Sequence, residues 1–188
     1  MKKWNELPKV MQNDKVKYYY DILQEHEKEL KLKRAFDIIC SLIMIIILSP
    51  VLIILSVMIK LDSKGPVLFK QVRVTTYGRK FKIWKFRTMV NNADKLGTQV
   101  TTKGDARITR MGHLLRKIRL DELPQLFNVL KGDMTFVGTR PEVPKYTAHY
   151  TEEMMATFLM PAGVTSRTSI EYKDEEKLLE NAENADEV

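Results

Sequence analysis

The chain has 188 residues, with 31 Lys and Arg against 24 Asp and Glu for a formal net charge of +7. That length holds one domain and a membrane segment, the single cysteine excludes an intrachain disulfide, and His26, His113 and His149 fall at no metal-ligand spacing. A basic balance suits anionic headgroups or phosphate-bearing substrates, with nucleic acid as the other standard partner.

Residues 1–32 are polar and charged, and Glu27/Lys31 and Glu29/Lys33 are i,i+4 pairs that support a surface or interfacial helix. From Ile38 to Ile59 the chain is apolar without a single charge over 22 residues. At ~1.5 Å per residue such a run just crosses a ~30 Å hydrocarbon core. It begins too far from the N-terminus, and is too long, for a secretory signal peptide. Cys40 sits inside it and reads as a small buried hydrophobe. Ser49-Pro50 interrupts the middle. Proline lacks the N–H that bonds the carbonyl one turn back, and the serine hydroxyl can bond backwards, so a kink or break is expected there. Lys28, Lys31, Lys33 and Arg34 precede the run, and Lys60, Lys64, Lys70 and Arg73 follow it. Both flanks therefore favour the cytoplasmic side, and the segment reads as a re-entrant helix broken at Ser49-Pro50.

Leu61 to Pro66 is a turn signal. Val67–Val74 and Phe81–Arg87 then read as strands of a hairpin turning at Tyr77-Gly78. Residues 91–106 are loop-like. Ile108, Met111, Leu114, Leu115 and Ile118 recur at helical spacing among Arg and Lys. This basic amphipathic helix can lie on a membrane or pack on the soluble core. Pro124 opens a helix over Gln125–Lys131 that stops at Gly132. Val137 to Pro141 is a tight loop, Thr151–Leu159 a short amphipathic helix, and the tail after Tyr172 is acidic.

Asp121-Glu122 lies between the basic helix and the proline-initiated one. Adjacent residues within a regular helix do not share a face, but at a junction both carboxylates can reach one cleft. Leu123, preceding proline, is expected to leave helical dihedrals, and the dipole of the following helix to keep the carboxylates ionised. A kinked continuous helix is the other geometry. An ionised Asp can attack phosphorus or hold a hard cation. Such pairs also serve as helix caps or as ion-pair partners of Arg116 or Arg119.

A series of motifs runs in fixed order through Lys33-Arg34-Ala35-Phe36-Asp37, Ser49-Pro50, Lys60 to Val67, Lys85-Phe86-Arg87-Thr88-Met89, Arg116, Leu120 to Gln125, Asn128 to Met134, and Val137-Gly138-Thr139-Arg140-Pro141. This series resembles the monotopic phosphoglycosyl transferases, bacterial sugar transferases that start glycoconjugate and polysaccharide assembly. The resemblance implies transfer of a sugar phosphate from a UDP-sugar to polyprenyl (undecaprenyl) phosphate at the cytoplasmic face of the bacterial inner membrane. It implies Asp121 as nucleophile, Mg²⁺ as cofactor held with Asp121 and Glu122, and no role for nucleic acid. Lys85, Arg87, Arg116 and Arg140 fall in the matched motifs and are expected as phosphate contacts. The chain departs from the family pattern at Thr139, usually proline, and over Met160–Ser166, where Ala162 is inserted. Other readings are a membrane-anchored basic binding module and an inactive scaffold; sugar, pathway and oligomeric state are not encoded legibly.

The expected fold is α+β: a re-entrant membrane helix and a small, mostly helical cytoplasmic domain with a short β-hairpin and interfacial amphipathic helices. Its divisions are an N-terminal extension (1–32), the membrane helix (33–60) and the catalytic domain (61–188).

Overall fold

The computed structural model describes residues 1–93 and 105–171. Most of the expected loop at 91–106, and the acidic tail, lie outside these residues. Two 3-10 turns lead into α1 (Asp14–Glu25), followed by α2 (Glu27–Asp62), strands β1 (Leu68–Thr75) and β2 (Arg79–Phe86), α3 (Arg110–Lys117), α4 (Gln125–Lys131), β3 (Met134–Val137), α5 (Pro144–Thr147), β4 (Ala162–Thr165) and α6 (Arg167–Glu171).

The 36-residue α2 runs straight through the expected break: Ser49 and Pro50 both lie inside it. The Ser49 hydroxyl donates to the Ile46 carbonyl at 2.8 Å. Ile46 is the acceptor that Pro50, lacking an N–H, leaves without its helical partner. The serine thus repairs the bond the proline removes, and the helical path continues. Ile46, Ile47, Ile53 and Ile54 in this stretch are exposed, on a helix long and apolar enough to cross a membrane.

Both ends of α2 are tied to the same body. Upstream, Arg34 donates to the carbonyls of Val129 at 2.6 Å and Leu130 at 2.8 Å, capping the C-terminal end of α4. Buried Asp37 accepts from the Thr135 hydroxyl at 2.7 Å and the Phe136 N–H at 3.3 Å, and pairs with Lys33 at 3.4 Å. Downstream, Leu55 and Ile59 pack with Phe86 and Leu115, and Asp62 accepts from the Met111 N–H at the start of α3 at 3.2 Å.

The hairpin appears where the sequence puts it, Leu68 pairing with Phe86 and Thr75 with Arg79. Tyr77 at φ 58° and Gly78 at φ 72° make its turn. One face of β2 sets Phe81 and Ile83 against Val129 and Met134. A second sheet, which the sequence did not announce, pairs β3 with β4 in parallel, Thr135 opposite Gly163. Gly163 is required there, because a Cβ would lie 2.4 Å from the Gly138 nitrogen. The departing segment Met160–Ser166 thus forms the strand that braces the Val137–Pro141 loop, whose Thr139 carbonyl accepts from the Gly163 N–H at 2.7 Å. The expected helix over Thr151–Leu159 is instead a 3-10 helix, Met154–Leu159.

The N-terminal residues fold into the same body. Leu7, Met11, Val16 and Tyr20 share a core with Val74, Phe158 and Leu159, and the Tyr19 hydroxyl donates to Glu153 at 3.0 Å.

Gly112 sets how closely α3 approaches the chain leaving β2, since a Cβ there would meet the Thr88 carbonyl oxygen at 1.9 Å. Gly112→Ala is expected to destabilise the fold by about 1–3 kcal/mol, the range for overpacking. Thermal unfolding in detergent checks this, and an unchanged midpoint would contradict the packing described.

Candidate functional site

The dyad is aimed by the backbone between α3 and α4. Arg119 adopts the left-handed conformation, φ 56° and ψ 21°, and Leu120–Glu122 form a 3-10 turn. For a non-glycine residue that conformation costs roughly 1–2 kcal/mol, and such strain gathers at functional sites. Residues three apart share a face of a 3-10 turn. Leu120 and Leu123 accordingly pack on the Leu55–Ile59–Phe86–Leu115 cluster, which turns Asp121 and Glu122 the other way. Leu123 stays helical, at φ −51° and ψ −37°, contrary to the expectation from its position before proline. The redirection occurs earlier, at Arg119. Pro124, Gln125–Lys131 and Gly132 at φ 88° then form α4 and its C-cap as the sequence indicates.

Asp121 and Glu122 open onto a cleft of about 770 Å³. Lys85, Arg87, Arg116 and Arg140, all named from the sequence, line the same cleft. So do Lys70, Arg73, Arg107 and Arg119, which sequence reading did not single out as site residues. Among the described residues, eight cationic side chains, one of them Arg107 paired with Asp105, line it against two carboxylates and give it a positive interior. Only Arg119, beside the dyad, carried a signal that sequence reading could have used. Arg73 and Lys70 are recognisable only once β1 is seen to form a wall.

Asp121 is 9 % exposed. Burial pushes its carboxyl above the usual carboxylate range, the Lys85 ammonium opposing and the Glu122 charge reinforcing the rise. The expectation that a helix dipole would govern this group is therefore corrected: desolvation outweighs it. Lys85 pairs with Glu122 at 2.7 Å, both side chains about a quarter exposed. Arg116 donates from Nε to the Thr88 hydroxyl at 2.9 Å. Arg73 donates to the Gln71 side chain at 2.7 Å and to the Pro141 carbonyl at 3.1 Å, joining β1 to the loop that carries exposed Arg140.

Arg87 behaves differently. It is buried, and its terminal nitrogens donate to the carbonyls of Ser63 at 2.7 Å, Lys64 at 3.1 Å and Ile59 at 3.3 Å. Its two terminal nitrogens thus cap the end of α2, while Nε has no hydrogen-bond partner among the described residues. A Cβ at Gly65 would fall 2.1 Å from Arg87 Nη1, so that glycine makes room for the guanidinium.

Among the described residues no three His, Cys, Asp or Glu side chains assemble as metal ligands. Asp121 and Glu122 supply hard oxygens, which fits a Mg²⁺ ion that takes one or two carboxylates and completes its shell with substrate phosphates.

The model of the bacterial sugar transferase family matches residues 28–187. The chain belongs to the bacterial sugar transferase family. It is 46% identical over 123 residues to the Aeromonas hydrophila UDP-N-acetylgalactosamine-undecaprenyl-phosphate N-acetylgalactosaminephosphotransferase, covering 65% of this chain and 29% of that protein. To the Escherichia coli K12 UDP-glucose:undecaprenyl-phosphate glucose-1-phosphate transferase it is 40% identical over 157 residues, covering 81% of this chain and 34% of that one. To the uncharacterized sugar transferase EpsL of Bacillus subtilis strain 168 it is 37% identical, covering 74% of this chain and 68% of that one. The sugar transferase chain thus spans about a third of the first two relatives and two thirds of the third. The dyad, the cleft and most of α2 lie inside the matched region, while the N-terminal turns and α1 precede it.

Lys85, ahead of Arg116, is the cation that most opposes the rise of the Asp121 pKa, so Lys85→Met is expected to raise it further. Carboxyl ¹³C NMR of Asp121 reads the shift, and a fall would contradict the arrangement. A carboxyl whose folded pKa exceeds its unfolded value binds protons more tightly when folded, so its contribution to stability is lost as pH rises through the folded pKa. Asp121→Asn is accordingly expected to raise the unfolding midpoint at pH 7 relative to the native chain.

Proposed function

We propose that this chain transfers a sugar phosphate from a UDP-sugar to undecaprenyl phosphate through a covalent phosphosugar-aspartate, at the cytoplasmic face of the inner membrane. The observation that carries the reading is a buried carboxylate, Asp121, on a cleft lined by eight cations among the described residues, at the base of an apolar helix. Family membership and the printed activities of the Aeromonas and Escherichia relatives support it.

In the first step an Asp121 oxygen attacks the β-phosphorus of the donor. The bond from that phosphorus to the bridging oxygen breaks, and UMP departs with the electron pair. In the second step an oxygen of the lipid phosphate attacks the same phosphorus. The aspartyl–phosphorus bond breaks, giving the polyprenyl diphosphate sugar and regenerating Asp121. Phosphoryl transfer needs positioning and charge neutralisation above all. Desolvation of Asp121 favours attack, because a more basic carboxylate is the better nucleophile. Lys85, Arg116 and Arg140 neutralise phosphate oxygens, and Arg can do so through two N–H bonds. Asp121 and Glu122 would hold Mg²⁺, which when bound supplies further neutralisation of the diphosphate. Arg87 reaches this chemistry chiefly by fixing the end of α2 beside the cleft.

The re-entrant topology belongs to the same proposal. Arg34 and Asp37 before the apolar stretch, Leu55 and Ile59 at its end, and Asp62 after it contact one body. A helix crossing the bilayer would put those contacts on opposite sides, and both flanks are basic. A bend at Pro50 within the continuous helix would let both ends return to one face.

Two outcomes are expected. Native chain with undecaprenyl phosphate, Mg²⁺ and a UDP-sugar panel releases UMP, and Asp121→Asn lowers the rate by roughly 10³-fold or more, as loss of a nucleophile does. Equal release by both would remove Asp121 from the reaction, and release by neither would favour a binding or scaffold role. In a Cys40→Ser background, single cysteines replacing Lys28 and Lys64 are both labelled by maleimide in sealed inverted vesicles; labelling of one alone would indicate a crossing helix.

A further inference from the structure

Lys85 meets Glu122 only if β2 is held in a fixed position relative to the turn that carries the dyad. β2 is hydrogen-bonded to β1 along one edge. On the other edge, the Trp84 N–H and the Lys82 carbonyl face α4. The Asn128 side chain meets both: the Trp84 N–H donates to Asn128 Oδ1 at 3.0 Å, and Asn128 Nδ2 donates to the Lys82 carbonyl at 2.9 Å. A carboxamide carries the same donor and acceptor as a peptide group. Asn128 therefore pairs with the strand as one residue of a neighbouring strand would, bonding the groups on either side of Ile83. Asn128 is 2 % exposed, where an unpaired amide is costly. It lies in α4, the helix that continues directly from Glu122, while Lys85 follows Trp84 in the strand.

We infer that Asn128 is a positioning residue, its two-point clamp on β2 setting Lys85 at the dyad so that the ammonium can meet a nucleoside diphosphate. This rests on the transferase reading above for the identity of the ligand, but the clamp itself does not. No other natural side chain of this size offers a peptide-like donor and acceptor. Aspartate keeps only the acceptor, and leucine leaves the Trp84 N–H and the Lys82 carbonyl unpaired.

The test is a double-mutant cycle on the full chain in nanodiscs, with UDP and Mg²⁺ as the probe and calorimetry as the readout. Asn128→Ala is expected to weaken UDP binding about tenfold when Lys85 is present and less than twofold in a Lys85→Met background, because the lysine it positions is gone. Amide exchange at Trp84 is expected to accelerate in Asn128→Ala in both backgrounds. Equal losses of UDP affinity in the two backgrounds would overturn the proposal and make Asn128 a structural residue only. So would unchanged exchange at Trp84. Asn128→Ser, smaller and still polar, serves the same cycle if the alanine variant does not fold. If the native chain binds no UDP while Trp84 exchange still responds, the donor assignment fails and the clamp stands.

Discussion

A carboxylate resists leaving water, and Asp121 is held out of water all the same. That constraint organises the molecule. The buried group is tolerable because Lys85 lies near it, because the cleft beyond is lined with Arg and Lys, and because the backbone that turns it inward is locked. Arg119 takes a conformation disfavoured for its type, and Leu120 and Leu123 repay that strain by packing on Leu55, Ile59, Phe86 and Leu115. The apolar contact that anchors the dyad's turn is thus also the contact that seats α2. The dyad's turn and the apolar helix share one hydrophobic cluster.

The polar ties around α2 extend this logic. Arg34 and Asp37 hold its first part to α4 and β3, and Asp62 and Arg87 fix its end to α3 and the strand exit. Every one of these contacts uses a charged group on backbone or hydroxyl partners, which gives direction as well as affinity. The domain is thereby fastened at both ends of the apolar stretch.

Much of this was readable in the residues. The α4 boundaries follow from Pro124 and Gly132, whose backbone constraints act locally and need no partner. The hairpin follows from two β-rich runs around Tyr77-Gly78. The dyad and three of the cations that line its cleft, Lys85, Arg116 and Arg140, were named because they fall in an ordered motif series. The fourth, Arg87, was named with them but its placement was not legible, since its carbonyl partners at and just beyond the end of α2 are more than twenty residues away in sequence. The β3–β4 pair was missed because each strand has four residues, too few for alternation to register, and the two are held by the close approach of Gly138 and Gly163. Pro50 misled as to the helix's continuity because the adjacent serine restores the missing hydrogen bond. Residues 1–25 gave no sign of joining the Val74–Phe158–Leu159 core, since that depends on partners more than fifty residues downstream.

The account depends most on Asp121 itself carrying the transferred group. Native chain incubated with a UDP-sugar and Mg²⁺, without lipid acceptor, then quenched in acid and digested, answers this by mass spectrometry of the peptide containing residue 121. The account predicts a sugar phosphate on Asp121 that disappears when undecaprenyl phosphate is added. Turnover to the lipid product with the peptide never modified, or a modification carried by another residue, would contradict it.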